Sequence, residues 1–393
     1  MDTLVYKIAS TSLLLAILFS GYVTVSGLTS TIYKEIGFYM YITIQIGNII
    51  GSITSSFIVY WLLGIKWTII VGGTTYVIWL SVYNFHITSL MLCVSALVGI
   101  GGGFLITQQS VWVSSMPIGS KPSYYIGIFN SIFGIYGIIG STFATIIFSL
   151  EIQLETLVWI STGISFSTIL LLMVFMPNIQ LDDSHIVSLN LYSQLIKNFS
   201  MWLFMPITLY QSISFVYSFV LMPLIMDHNF MIISLNFTIY SITFCLNSYL
   251  LAHIYRKIDP LYLLIINIFI CCVLFTLNGM AYLYLDYLVE HDYYPVLVIG
   301  FFCGIGNSIT NTIILTELAR WFSDCKTVFG FNRAFQSIGA SIFSLVALHI
   351  SWYIYFSIML SVIIFATVCY SFFIIRVKGN EELVEKLPLL SKI

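Results

Sequence analysis

The sequence predicts an all-α membrane protein of twelve transmembrane helices, built as two six-helix pseudo-repeats. Three observations carry that expectation. Of its 393 residues 59% are hydrophobic and only 8% charged, with a mean hydropathy of +1.00, whereas a soluble domain carries about 25% charged residues. A small-residue pattern is written twice. Gly99-Ile100-Gly101 recurs 205 residues later as Gly304-Ile305-Gly306, and at that offset Ser95 meets Gly300, Gly103 meets Ser308 and Thr107 meets Thr312. At an offset of 203, Gly127 pairs with Gly330, Ser131 with Ala334, Gly134 with Ser337 and Gly137 with Ala340. Small residues at helical spacing let two backbones approach in lipid, where apolar burial gives no drive. The third observation is the placement of the basic residues, taken up after the segments themselves.

Apolar stretches of around twenty residues suffice to cross a bilayer. Such stretches lie at 8–28, 38–60, 67–84, 88–111, 124–149, 155–176, 201–224, 231–253, 261–285, 295–317, 328–349 and 352–375. The first could pass for a signal peptide, but a six-helix repeat needs it as a span. Spans 2 and 3 are separated by a tight loop, Tyr60 to Trp67, holding Lys66. Span 4 carries the first glycine run, and span 5 opens on Gly127. Glu151 precedes span 6 and Glu155 opens it. The longest break, 177–200, holds Pro177, Asn178, Asp182, Asp183, His185 and Lys197 and links the halves. Spans 8 and 9 are separated by a second tight loop, Tyr255 to Tyr262, with Arg256 and Lys257 at the place Lys66 holds in the first half. Asp286, Glu290, His291 and Asp292 cluster after span 9. Spans 10 and 11 repeat the glycine faces of spans 4 and 5. The expected organisation is 1–176 for the first half, 177–200 for a central cytoplasmic loop, 201–375 for the second half and 376–393 for a tail.

With both ends cytoplasmic, this count places Lys7, Lys66, Lys121, Lys197, Arg256, Lys257, Arg320, Lys326, Arg333, Arg376, Lys378, Lys386 and Lys392 on the inner side. Only Lys34, of fourteen basic residues, falls outside. Cytoplasmic loops hold the Lys/Arg excess, and an extra or missing span would scramble the ratio from the error onward.

Other classes find no support. The net charge of −2 comes with no basic run for nucleic acid. Seven cysteines form no CxxC or metal spacing, Cys271-Cys272 reads as apolar filler, and neither a metal nor a cofactor is expected. The sequons at Asn198 and Asn236 fall on the cytoplasmic side and inside span 8, so neither should be used. There is no GxxxxGK[ST] phosphate loop, arginine ladder or carbonyl filter. No nucleophile–base constellation suggests an enzyme.

Gly64-Ile65-Lys66-Trp67, then Gly72-Gly73, Tyr76 and Asn84, resemble the helix 2–3 region of the uncoordinated-93-like branch of the major facilitator superfamily. So do Gly99-Ile100-Gly101-Gly102-Gly103 followed by Gln108-Gln109, and Gly127-Ile128-Phe129 opening span 5. In the second half, Gly304-Ile305-Gly306-Asn307-Ser308 and Gly330 through Gly339 are similar to that branch's helices 10 and 11. There are departures. Ile106 and Thr107 stand where an aromatic is expected before the helix 4 glutamine, and the helix 2–3 loop lacks the acid-plus-arginine pattern of sugar-porter relatives.

The resemblance implies that spans 1, 2, 4, 5, 7, 8, 10 and 11 line a central cavity, with 3, 6, 9 and 12 outside. Polar side chains are costly in lipid and should gather on the inner spans. The inner eight hold Gln45, Asn48, Gln108, Gln109, Asn130, Gln211, Asn236, Asn247, Asn307, Asn311, Asn332 and Gln336, and the outer four hold Asn267 and Asn278, with Asn84 at an end. Chance would give two to one, so a polar central path is favoured, although buried amides also bond helix to helix. The candidate cavity residues are Gln45, Asn48, Gln108, Gln109, Asn130, Gln211, Asn307, Asn311 and Gln336, together with Tyr210, and Tyr217 is a further cavity-facing ring. The candidate packing glycines are Gly99, Gly101, Gly127, Gly134, Gly304, Gly306 and Gly330.

One acidic residue, Glu317, falls near a span end, with Arg320 at i+3 and Arg333 opening span 11. They read as an ion pair closing the inner side, or as a proton or cation site. In the tail, Glu385 with Leu389 and Leu390 fits the acidic-dileucine pattern of endosomal and lysosomal sorting signals. The functional expectation is a secondary transporter of a small uncharged or zwitterionic solute, working by alternating access. The alternative, implied by the resemblance, is a non-transporting regulator of a potassium channel or trafficking partner of receptors. The expected partners are the lipid bilayer and either that solute or a partner membrane protein. The plasma membrane and an endolysosomal or vacuolar membrane both stay open.

Overall fold

The structure, a computed structural model, describes residues 3–33, 35–114, 122–177, 189–225, 229–255, 257–283, 296–322, 325–347 and 349–379. Apolar side chains along each span leave the backbone no partner but itself, and in lipid that means helix. In chain order these are α1 (Thr3–Tyr33), α2 (Glu35–Thr54, prolonged by a π-turn, Ser55–Val59), α3 (Tyr60–Tyr83) and α4 (Thr88–Ser114). Then come α5 (Pro122–Phe133 and Ile135–Ser149) and α6 (Leu154–Phe175). In the second half, α7 runs from Phe199 through a π-turn, Tyr217–Leu221, to Ile225, followed by α8 (Phe230–Ile254) and α9 (Pro260–Leu283). Last are α10 (Leu297–Trp321), α11 (Cys325–Ala347) and α12 (Trp352–Gly379).

Eleven of these helices are long and apolar enough to cross a membrane by composition alone. The exception is α11, where Asn332, Arg333 and Gln336 interrupt an otherwise apolar helix. Its polarity is explained by where it packs, as shown below. Large apolar side chains such as Val174, Phe175, Leu246, Phe269 and Ile375 stay exposed on the outside, as a lipid-facing surface requires.

The chain kinks inside α3 at Gly64, whose φ of 70° and ψ of 171° turn it between the two spans. Only glycine adopts that conformation without strain. The break expected over 177–200 is not all loop. A short helix, Leu189–Lys197, ends it, with Tyr192 and Leu195 buried and the Tyr192 ring stacked on Phe57 at 4.7 Å. Asn198 then caps α7, its side chain accepting from the Ser200 amide at 3.0 Å.

The halves are built alike. Within the first, α1 packs on α5 and α6, α4 on α2 and α3, and α3 on α6. Within the second, α7 packs on α11 and α12, α10 on α8 and α9, and α9 on α12. Across the seam, α2 meets α11 and α5 meets α8, while α4 meets α11 and α5 meets α10. None of α3, α6, α9 and α12 makes an extensive contact across the seam. The ends of α1 and α12 that carry Thr3 and Gly379 share one face, here called proximal, and the opposite face is distal.

Corresponding glycines touch corresponding helices. A Cβ built on Gly99 meets the Ile44 carbonyl of α2, and one on Gly304 meets the Tyr240 carbonyl and Thr243 of α8. Gly101 abuts Thr75 of α3, and Gly306 abuts Asn267 of α9. Gly127 abuts Ala252 of α8, and Gly330 abuts Ser52 and Ser56 of α2. Gly134 abuts Cys245 and Phe244 of α8.

Candidate functional site

Where α2 and α11, and α5 and α8, hold the halves together, the remaining faces of the inner helices enclose a cavity of about 210 Å³. Roughly 10–15 Å³ of such space holds one water, so a metabolite-sized solute fits. All eight inner helices contribute, with Tyr76 of α3 added. Helical periodicity selects the lining. On α2 the residues are Tyr41, Gln45 and Asn48, on α7 Gln211, Phe215 and Phe219, and on α11 Phe329, Asn332, Arg333 and Gln336. These spacings of three, four and eight keep each set on one helix face.

Of the residues expected in the cavity, Gln45, Asn48, Gln109, Asn130, Gln211, Asn307, Asn311 and Gln336 line it. Gln108 and Tyr210 do not, and the reason is angular. One step along a helix turns the side chain by about 100°, and in Gln108-Gln109 and Tyr210-Gln211 that step carries one member off the cavity face. Gln108 turns to α2, donating to the Ser55 hydroxyl at 2.8 Å. Tyr210 turns to α9, its hydroxyl 3.5 Å from Asn267 Oδ1. Tyr217 also points outward to α9, donating to Asn278 Oδ1 at 2.9 Å. Asn267, an outer-helix amide, likewise bonds helix to helix, donating to the Thr310 hydroxyl of α10 at 2.7 Å.

Polar groups in the cavity are only partly satisfied by one another. Gln211 Nε2 donates to Asn311 Oδ1 at 3.2 Å, Asn307 Nδ2 to the Ser218 hydroxyl at 3.2 Å, and Asn48 Nδ2 to Gln45 Oε1 at 3.3 Å. Thr208 donates to Asn332 Oδ1 at 2.6 Å. Asn48 Oδ1, Thr107 Oγ1, Gln109 Oε1, Asn130 Nδ2 and Arg333 Nε are buried without a protein partner. Leaving such groups unpaired costs about 1–3 kcal/mol each. Clustered around one space, they are a binding surface for a polar ligand.

The ion pair expected between Glu317 and Arg320 does not form. Among the described residues the one ion pair is His86–Glu155, at 4.0 Å on the distal face. Glu317 is buried and accepts from the Tyr255 hydroxyl at 2.9 Å and from Trp321 Nε1 at 2.7 Å. Arg320 instead lies over the Trp321 ring, 4.7 Å from its centroid. Spacing of i and i+3 allowed the pair, but Glu317 faces Tyr255 at the end of α8 and takes Trp321 at i+4 of its own helix, and these aromatic donors outcompete a solvent-side cation. Glu317→Ala therefore strands one buried and one half-buried donor and should lower stability by about 2 kcal/mol. Glu317→Gln, which keeps an acceptor, should lose less in the same thermal unfolding experiment.

Arg333 is not at a helix end beside Glu317. Because α11 begins at Cys325 rather than at 328, the guanidinium stands about 12 Å along the helix, at roughly 1.5 Å per residue, and lines the cavity. Sequence reasoning missed the aromatic lining as well: Phe19, Tyr22, Tyr76, Phe129, Phe133 and Tyr136 form most of one wall. Tyr41 and Phe133 were within reach of the helical repeat around Gln45, Asn48 and Asn130. Nothing in spans 1 and 3 singled out Phe19, Tyr22 or Tyr76. Among the described residues no group of His, Cys, Asp and Glu side chains is arranged to hold a metal. The tail pattern of Glu385, Leu389 and Leu390, and the acidic cluster from Asp286 to Asp292, lie outside the described residues.

Neither a family model nor a curated protein matches the chain. Solved structures do match, over nearly its whole length. A variant of the E. coli fucose:proton symporter FucP aligns with a TM-score of 0.67 and 13% identity, covering 97% of this chain and 99% of the symporter. The human organic anion transporter MFSD10 aligns with a TM-score of 0.66 and 12% identity, over 93% of this chain and 99% of that one. The proton:xylose symporter XylE gives a TM-score of 0.70 at 10% identity, over 93% and 94% of the two chains. The chain thus has the twelve-helix fold of the major facilitator superfamily transporters.

Proposed function

We propose that this multi-pass membrane protein is a secondary transporter, carrying a small organic solute by rocking its two halves around the central cavity. One observation carries the reading. The cavity lies on the seam between the halves, and buried polar atoms from both of them line it without protein partners. A ligand there contacts both halves at once, which is how binding couples to their relative motion. Three transporters of the same fold, two for sugars with protons and one for organic anions, support it. The proximal face, with Lys7, Lys66, Lys197, Arg320 and Arg376, is the cytoplasmic one in this reading. The non-transporting alternative suggested by the uncoordinated-93-like pattern is not favoured, since a partner protein needs no unpaired polar groups in a central cavity.

The test is thermal unfolding of the purified protein against several hundred metabolites, at two pH values and with sodium or potassium. A ligand at 100 times its Kd stabilises by about 2.7 kcal/mol, a shift of several degrees. A chemically coherent set of hits supports a carrier. Silence, with one membrane partner retained through purification, would favour the regulatory reading.

A further inference from the structure

The cavity holds one charged side chain among the described residues, and it is a cation. Arg333, on α11 of the second half, donates from Nη1 to Gln336 Oε1 at 2.6 Å, while its Nε has no partner. No Asp or Glu among the described residues lines the space. The titratable groups near enough to act on the guanidinium are three tyrosines, Tyr76, Tyr41 and Tyr22, and all three belong to the other half. The side chain is half-buried, with Nε closed off from water, and a cation partly withdrawn from water without a counter-charge is costly. The fold retains it at the seam, facing hydroxyls that can donate to an anion.

We propose that the transported solute bears a single negative group, a carboxylate in the first instance, and that Arg333 binds it against the tyrosines across the seam. The inference rests on the carrier reading and sharpens it, replacing the uncharged solute expected from the sequence. A guanidinium presents a planar fork that fits a carboxylate with two parallel hydrogen bonds, and it gives up hydration more readily than an ammonium. The wall beyond the tyrosines is aromatic. Phe19 lies 4.9 Å from Tyr76 and 5.3 Å from Phe133, ring centroid to centroid, and Phe133 lies 5.2 Å from Tyr136. That surface suits an apolar or aromatic body attached to the charged end. A cationic solute meets an unbalanced positive charge and is rejected.

The experiment compares ligands of one shape and three charges on the intact protein. Benzoate and 3-phenylpropionate, their primary amides and the matching amines are titrated, with thermal stabilisation giving apparent affinity. The expected result is that the carboxylates bind roughly ten- to a hundred-fold more tightly than the amides, and that the amines do not bind. Arg333→Gln should abolish that preference, and Arg333→Lys should keep part of it. Without ligand, Arg333→Gln should melt at a higher temperature, since an uncompensated, partly buried charge is gone. The wild-type ligand series stands on its own if a variant is poorly behaved. Amides binding as well as carboxylates, or a preference that survives Arg333→Gln, overturns the inference. Metabolite hits confined to neutral or cationic solutes overturn it while leaving the carrier reading intact. No binding by any compound, here and in the metabolite panel, removes both.

Discussion

Gly99→Leu should purify largely as aggregate, with any monodisperse fraction melting well below the wild type. Gly99 sits in the seam between α2 and α4, where backbone meets backbone. A Cβ at Gly99 falls against the Ile44 carbonyl oxygen and 2.9 Å from Gly47 Cα. From the other side, one at Gly47 falls 2.5 Å from the Ala96 carbonyl oxygen, and one at Gly103 falls 2.5 Å from the Ser52 amide nitrogen. No flexible side chain can yield there, so the helices must separate along the whole contact. In lipid, association rests on close van der Waals packing, with no apolar burial to compensate for its loss. The cost is roughly 3 kcal/mol or more, at the upper end of overpacking effects. Gly304→Leu should behave alike in the second half, where the Tyr240 carbonyl lies in the way. Gly163→Leu is the control, because nothing lies within 4 Å of that position. Size-exclusion profiles and melting temperatures of the three variants decide the matter. A monodisperse Gly99→Leu protein with wild-type stability would refute the seam.

The double variant Gly127→Leu/Gly330→Leu should fold but transport at least tenfold more slowly. Both glycines lie between the halves at the proximal end. A Cβ at Gly127 falls 2.5 Å from that of Ala252, and one at Gly330 falls 2.7 Å from the Tyr192 hydroxyl and 3.0 Å from the Ser52 carbonyl oxygen. Each half keeps its own core, so the added bulk is relieved by parting the halves rather than by unfolding either one. Overpacking of about 1–3 kcal/mol per site then weighs against the proximally closed state alone. For each site that shifts the balance by roughly 5- to 150-fold, taking 1.4 kcal/mol per tenfold. A carrier must close both ends in turn, so biasing one end slows the cycle. Uptake into proteoliposomes, with thiol labelling of a cysteine at Ser110 on the proximal side of the cavity, reads both effects. Uptake should fall and labelling should rise. Unchanged uptake would show that these contacts do not open and close.

The twelve helices and their twofold repetition were legible because each is a matter of composition and spacing along the chain. Even α11, which fails a stricter measure of apolar length, was read among the apolar stretches at 328–349, and the recurrence of Gly127 at Gly330 matched it to span 5. Eight of the ten cavity candidates line the cavity for the same reason: amides avoid lipid, and so gather on inner faces. What could not be read is the rotation of each helix about its axis. Gln108 and Tyr210 differ from Gln109 and Gln211 by one step of the helix, and no apolar stripe distinguishes them, because every face of a buried helix is covered. The start of α11 mattered in the same way. Placing it three residues late put Arg333 at the rim beside Glu317, whereas the helix carries it into the cavity. The pairing of Glu317 with Tyr255, rather than with Arg320, depends on which helix end lies opposite, and only packing supplies that, whereas Trp321 stands at i+4 on the same helix and was within reach of the spacing.

The most direct test of the rocking carrier is solute uptake with the distal ends of the halves tied together. Phe148 at the end of α5 and Phe230 at the start of α8 face each other across the seam, their ring centroids 5.4 Å apart. Both are replaced by cysteine and joined by a short, reversible bis-thiol reagent in proteoliposomes loaded with an aromatic carboxylate. Uptake should be saturable before joining, should stop once the link forms, and should return when it is cleaved. Uptake that continues at full rate with the link intact would contradict the account.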